Sequence, residues 1–161
     1  MQNLGHLLEV LLNTNIEFVL IGGFASVVHG SSMVTQDLDI CMLVNPQQIE
    51  KLRNCLRPFK PRHRMTAKKL SFLDFPQDAS GVKNIYLETD LGILDIVGEV
   101  TGAGPFARVY AHANEIEIYG KKCKVISIKD LIASKKSLAR PKDLAVVREL
   151  EAIQRSKRGD R

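Results

Sequence analysis

Apolar residues return along this chain with two different periods. Leu4, Leu7, Leu8 and Leu11 recur at helical spacing and predict an amphipathic first helix over about 3–13. That stretch lacks a basic start, carries Glu9 and shows no small-residue cleavage site, so it reads as a helix rather than a leader. "IEFVLI" (16–21) is apolar and partly β-branched, a buried strand that ends at Gly22-Gly23. "FASVVH" continues as a short helix closed at Gly30, and "SSMVTQ" is a polar loop. "DLDICMLV" is a second strand; Asn45-Pro46 stops it and starts a helix over about 46–56, which Pro58 and Pro61 end. "KKLSFLDF", "NIYLET" and "GILDIV" read as strands, with a turn at 78–81 and a loop at "GAGPFA". "EIEIY" and "KCKVIS" alternate as a hairpin joined at Gly120-Lys121. Leu131, Ile132 and Leu138, then Leu144, Val147, Leu150 and Ile153, restore the helical period on either side of Pro141. The pattern predicts one α/β (α+β) domain over 1–161, a mixed β-sheet flanked by helices, with a core at about 16–126 and C-terminal helices at about 127–155.

Two features of residues 20–40 go beyond packing. Gly22-Gly23 lets another group approach the backbone, and a helix beginning there offers free N–H groups and a dipole that favours an anion such as phosphate; a tight turn is the other reading. Ser26, one turn further in, could face the same anion or pack as a small residue. Asp37 and Asp39 are two apart in a strand, so they share a face while Leu38 and Ile40 take the core. Held together they repel, and a divalent cation such as Mg²⁺ or Mn²⁺ offsets this; two solvated acids at a strand end are the alternative. Asp95 lies in the apolar "LGILDIVG", where a carboxylate is costly to bury without a partner. Beside Asp37 and Asp39 it would complete a catalytic set able to hold two metal ions about 3.5–4 Å apart, one on a nucleoside triphosphate and one on an acceptor hydroxyl, with Asp95 serving the second. His29, Tyr86, Phe106 and Tyr110 read as packing residues in preference to a proton acceptor or base-stacking groups.

Ile21-Gly22-Gly23, Asp37-Leu38-Asp39 and Asp95 together resemble the nucleotidyltransferase superfamily with the DNA polymerase β-type fold. Thr35, two before the first acid, and Leu91-Gly92-Ile93-Leu94-Asp95 resemble its small stand-alone members, the AbiEii and MenT-type toxin group and related uncharacterised domains among them. "DLIASKKSLARPKDL" is similar to a family helix in which a lysine, an arginine and an aspartate recur, here Lys135, Arg140 and Asp143. The resemblance spans about 16–150. It implies an Mg²⁺-dependent enzyme that transfers a nucleoside monophosphate from an NTP such as ATP to an acceptor hydroxyl on an RNA end, a protein or a small molecule. Metal would bind Asp37, Asp39 and Asp95; nucleotide would bind Gly22, Gly23, Ser26, Thr35, Lys135, Arg140 and Asp143, with Lys135 neutralising the triphosphate. The chain departs from the pattern twice: Ser31-Ser32-Met33-Val34-Thr35 has no arginine where relatives carry one, and Asp143 is followed by Val146 where a second aspartate is usual. The alternative is a catalytically degenerate module that holds nucleotide or RNA, as half of a toxin–antitoxin pair.

Composition adds three constraints. The net charge is +5, and residues 51–69 carry eight Lys or Arg and no acid, which suits a polyanion, including RNA such as tRNA, or a solvated helix face. Cys41, Cys55 and Cys123 are too scattered for a zinc site or a disulfide framework and read as reduced thiols of a cytoplasmic protein. No apolar run approaches the ~20 residues of a membrane span.

Overall fold

A computed structural model gives the structure, and it describes residues 2–159. Helix α1 (Leu4–Leu12) starts where Asn3 Oδ1 accepts from the His6 N–H at 2.9 Å, and it buries Leu7, Leu8 and Leu11. It leads into β1 (Phe18–Ile21), all four residues of which are buried. Helix α2 (Gly22–Val28) follows without a break, then β2 (Asp37–Met42). Asn45 caps α3 (Pro46–Leu56), with Pro46 at its first position, where no N–H is missed. A short β3 (Arg62–His63) precedes the hairpin of β4 (Asn84–Thr89) and β5 (Gly92–Val97). A two-stranded ribbon of β6 (Glu99–Val100) and β7 (Gly104–Pro105) leads into α4 (Phe106–His112). The hairpin β8 (Asn114–Ile118) and β9 (Lys121–Val125) and the helices α5 (Ile128–Leu138) and α6 (Pro141–Lys157) complete the chain.

Seven strands form one mixed sheet in the order β3-β4-β5-β2-β1-β9-β8, so the α/β architecture expected from the sequence is what the chain adopts. β2 runs parallel to β5 and antiparallel to β1, and β1 runs parallel to β9. Leu38 and Ile40 lie opposite Leu94 and Ile96, all four fully buried. Because strand side chains alternate, burying those four sends Asp37, Asp39 and Asp95 to the other face. α2 packs on β1, β2 and α5, and α5 packs on α6, which places three helices around that face of β2.

Three local expectations change. "KKLSFLDF" is not a strand: only Ser71 bridges to Arg62, and the segment otherwise turns. Arg53 holds it from α3, donating from Nε to the Phe72 carbonyl (2.7 Å) and from Nη2 to the Pro76 carbonyl (2.8 Å) over the buried Phe72 ring. A side chain thus satisfies carbonyls that a neighbouring strand would otherwise take. "GAGPFA" contains the start of α4, whose Phe106, Val109 and Tyr110 are spaced for a helix and pack on the core. The β8–β9 turn is Tyr119-Gly120, not Gly120-Lys121: Ile118 pairs with Lys121, and both turn residues have positive φ (54° and 73°). A two-residue turn of this kind matches the twist of its strands even with a tyrosine in the first place.

Candidate active site

The register of β2 on β5 sets Asp39 directly beside Asp95, and that of β1 on β2 sets Ile21 beside Asp39. The chain then passes into Gly22, whose φ is +66°. A Cβ on Gly22 would lie 2.9 Å from Asp39 Cβ and collide with its carboxylate, and one on Gly23 would lie 2.9 Å from Thr35 Oγ1. The two glycines therefore first make room for Asp39 and Thr35. Thr35 in turn donates to the Asp37 carbonyl at 2.9 Å, fixing the entry to β2.

A cavity of about 500 Å³ opens over this seam, within the range of small-molecule sites. One wall is acidic: Asp37 and Asp39 from β2 and Asp95 from β5. The other is basic: Lys135 from α5, Arg140 at the start of α6, and Lys142 within it. Burial, then the charges of Asp95 and Asp37, push the Asp39 carboxyl up to about 6, against partial relief from Lys135 and Arg64. On the basic wall, Arg140 forks onto Asp143 (Nε to Oδ2 2.5 Å, Nη2 to Oδ1 3.1 Å), and Lys135 Nζ lies 3.6 Å from the same carboxylate. Burial alone would raise Asp143, but Arg140 and Lys135 outweigh it and hold it below the usual carboxylate range. A second cavity, about 200 Å³, shares Asp39, Asp95, Lys135 and Arg140 with the first, but is otherwise lined largely by apolar side chains, Val97, Val100, Ile126, Leu131 and Leu138 among them.

Most of the residues singled out in the sequence come together here. Asp37, Asp39, Asp95, Gly23, Thr35, Lys135, Arg140 and Asp143 line the larger cavity, and Gly22 lines the smaller. Ser26 does not: it is fully buried and donates back to the Gly22 carbonyl at 3.1 Å. His29 is a packing residue, its Nε2 2.7 Å from the Ile126 carbonyl and its pKa lowered by burial. The stretch with no arginine is tied to α6 instead, Ser31 and Ser32 donating to Glu149. The three cysteines are free, and burial pushes the Cys41 thiol up to about 12.

Arg64 was missed. It forks onto Asp95, Nε to Oδ1 at 3.0 Å and Nη2 to Oδ2 at 2.5 Å, and the contact raises its pKa. A signal for it existed: a lone acid in an apolar strand needs a cationic partner, and the basic run 51–69 could supply one. Half of that run's basic residues are engaged within the chain, since Arg53, Arg62, Arg64 and Lys69 all pair with its own carboxylates. Asp37 and Asp39 are hard oxygen donors whose like charges oppose each other, and they fit a divalent cation. Asp95, on the same wall, is held by Arg64, and among the described residues no group of three or more acids, histidines or cysteines is placed to hold one metal ion.

No protein-family model matches the chain. No curated protein matches it in sequence. Solved structures do match. The lincosamide antibiotic adenylyltransferase LnuA, in its lincomycin-bound form, aligns with a TM-score of 0.62 at 18% identity, covering 93% of this chain and 95% of that one. The antibiotic-resistance factor ANT(2'')-Ia aligns with a TM-score of 0.59 at 14% identity, covering 97% and 91%. A Thermotoga maritima protein of inferred nucleotidyltransferase activity aligns with a TM-score of 0.54 at 17% identity, covering 92% and 94%. Over nearly its whole length, this chain has the fold of those nucleotidyltransferases.

Proposed function

We propose that the chain is a metal-dependent nucleotidyltransferase that moves a nucleoside monophosphate from an NTP to an acceptor hydroxyl and releases pyrophosphate. The observation that carries this reading is the pairing of walls: Asp37, Asp39 and Asp95 face Lys135, Arg140 and Lys142 across one cavity of about 500 Å³. A divalent cation on Asp37 and Asp39 would supply Lewis-acid charge neutralisation at the phosphates. The basic wall would take the β- and γ-phosphates, which carry the leaving charge. The acceptor oxygen bonds to the α-phosphorus, the bond from that phosphorus to the β-bridging oxygen breaks, and pyrophosphate leaves with the electron pair. Asp95, which borders both cavities, would accept the hydroxyl proton once its fork with Arg64 opens.

The acceptor in this reading is a small hydroxyl compound. The second cavity is small, partly apolar and open to Asp39 and Asp95, and half of the basic residues of 51–69 are already paired within the chain. The test is incubation with each labelled NTP, Mg²⁺ or Mn²⁺, and three acceptor pools: small polyhydroxylated compounds, total RNA, and protein. Pyrophosphate release that needs metal and Asp39, with label on a small compound, is the expected result. Label on RNA or protein would keep the reaction and change the acceptor. Nucleotide binding with no release under any condition would leave a binding module, such as one held by an antitoxin.

A further inference from the structure

Arg64 reaches the site from outside the elements that build it. It follows β3, and its backbone N–H donates to the Tyr86 carbonyl at 3.1 Å, which ties its turn to β4. Tyr86 is the register partner of Asp95, as Asp95 is of Asp39, so the three lie in a row across β4, β5 and β2. The Arg64 guanidinium lies 5.5 Å from the Tyr86 ring centroid and grips both Asp95 oxygens. Its side chain is 27% exposed and lines the larger cavity. The pair offsets the cost of holding the Asp95 carboxylate, 13% exposed, in an apolar strand, and it borders the cavity. The charge it supplies stands at Asp95 where a second cation would otherwise be drawn. The same fork fits a phosphate as well as a carboxylate, so a nucleotide entering this cavity offers Arg64 another partner.

We propose that Arg64 is a positioning residue that acts as a built-in cation on Asp95: it limits the nucleotide-free chain to one divalent ion, at Asp37 and Asp39, and frees Asp95 for a second only when a triphosphate draws it away. The arrival of nucleotide and the opening of the second ion position are thereby coupled, and the coupling is reciprocal. This rests on the cation site of the proposed function.

The experiment is a Mn²⁺ titration of the full chain by calorimetry and by electron paramagnetic resonance of free Mn²⁺, with and without a non-hydrolysable NTP analogue. The nucleotide-free wild type binds one Mn²⁺ per chain, and two with the analogue. Arg64→Ala binds two without nucleotide, the second at least roughly tenfold tighter than any second ion on the wild type, because a charge-assisted fork no longer competes. Arg64→Lys keeps the charge and stays at one. Arg64→Gln gives the same reading as the alanine variant should that one fold poorly, since it keeps the stem and loses the charge. Two equivalent ions on the nucleotide-free wild type, or a single ion on Arg64→Ala and Arg64→Gln alike, overturns the inference and leaves the nucleotidyltransferase reading standing. No Mn²⁺ on any variant, with or without analogue, overturns both.

Discussion

Asp39 is packed between β1 and β5, beside Asp95 and two residues along the strand from Asp37. Its carboxyl is pushed from an ordinary 3.8 up to about 6, first by burial and then by those two neighbours. A carboxyl raised on folding binds its proton more tightly in the native state. Its contribution to stability is full below pH ~4 and is lost as pH rises through about 6. In chelator, Asp39→Asn should therefore match the wild type near pH 4 and exceed it above pH 6 by on the order of 2 kcal/mol, read from denaturant midpoints. Added Mg²⁺ should narrow that gap from the wild-type side, and transfer activity should be lost at every pH. Leu38→Ala, one residue away in the buried row, should lose about 2–5 kcal/mol at all pH values. Gly22 allows a second test. Gly22→Ala places a methyl in the left-handed region and against Asp39, whereas Gly120→Ala has a similar φ (+73°) with nothing within 4 Å. Gly120→Ala should cost about 1–2 kcal/mol, and Gly22→Ala clearly more, as thermal unfolding would show.

Between elements, the junction of α5 and α6 rests on Asp143. Its side chain is 1% exposed; it pairs with Lys135 from α5 and accepts from the side chain and, at 3.3 Å, the backbone N–H of Arg140. It thus closes the first turn of α6 and neutralises a lysine whose side chain is only 10% exposed. Asp143→Ala should cost about 3 kcal/mol or more, because the Lys135 charge stays buried without its partner. Adding Lys135→Met should restore part of that loss in a double-mutant cycle. Recovery identifies a charge effect; additivity would identify helix capping alone.

For the whole molecule, the cavity draws on β2, β5, the loop before β2, the turn after β3, and both C-terminal helices. A ligand that bridges the acidic and basic walls should stabilise all of them together. Mg²⁺ with NTP, at about 100 times the dissociation constant, should add about 2.7 kcal/mol. That corresponds to a Tm rise of roughly 5–10 °C for a chain of this size, and each ligand alone should give much less. Equal shifts from NTP with and without metal would show that the acids take no part in binding.

The face that each acid takes is legible from strand alternation alone. Alternation in "DLDI" and "GILDIV" leaves one way to bury Leu38, Ile40, Leu94 and Ile96, and it turns Asp37, Asp39 and Asp95 together to the other side. The helical period and the proline at its start also marked α3 to the residue, since those signals are local. The irregular 66–83 segment was not legible, because what shapes it is Arg53, reaching across from α3. Packing across the sheet set Asp39, rather than Asp37, beside Asp95: a slip of two residues keeps every side chain on its face, so alternation cannot distinguish the two registers. It also decided that Arg64 takes Asp95 and that Lys135 and Arg140 meet over Asp143. A charge declares in sequence that it needs a partner, but which one it finds depends on strands and helices far apart in the chain, and that is settled by packing.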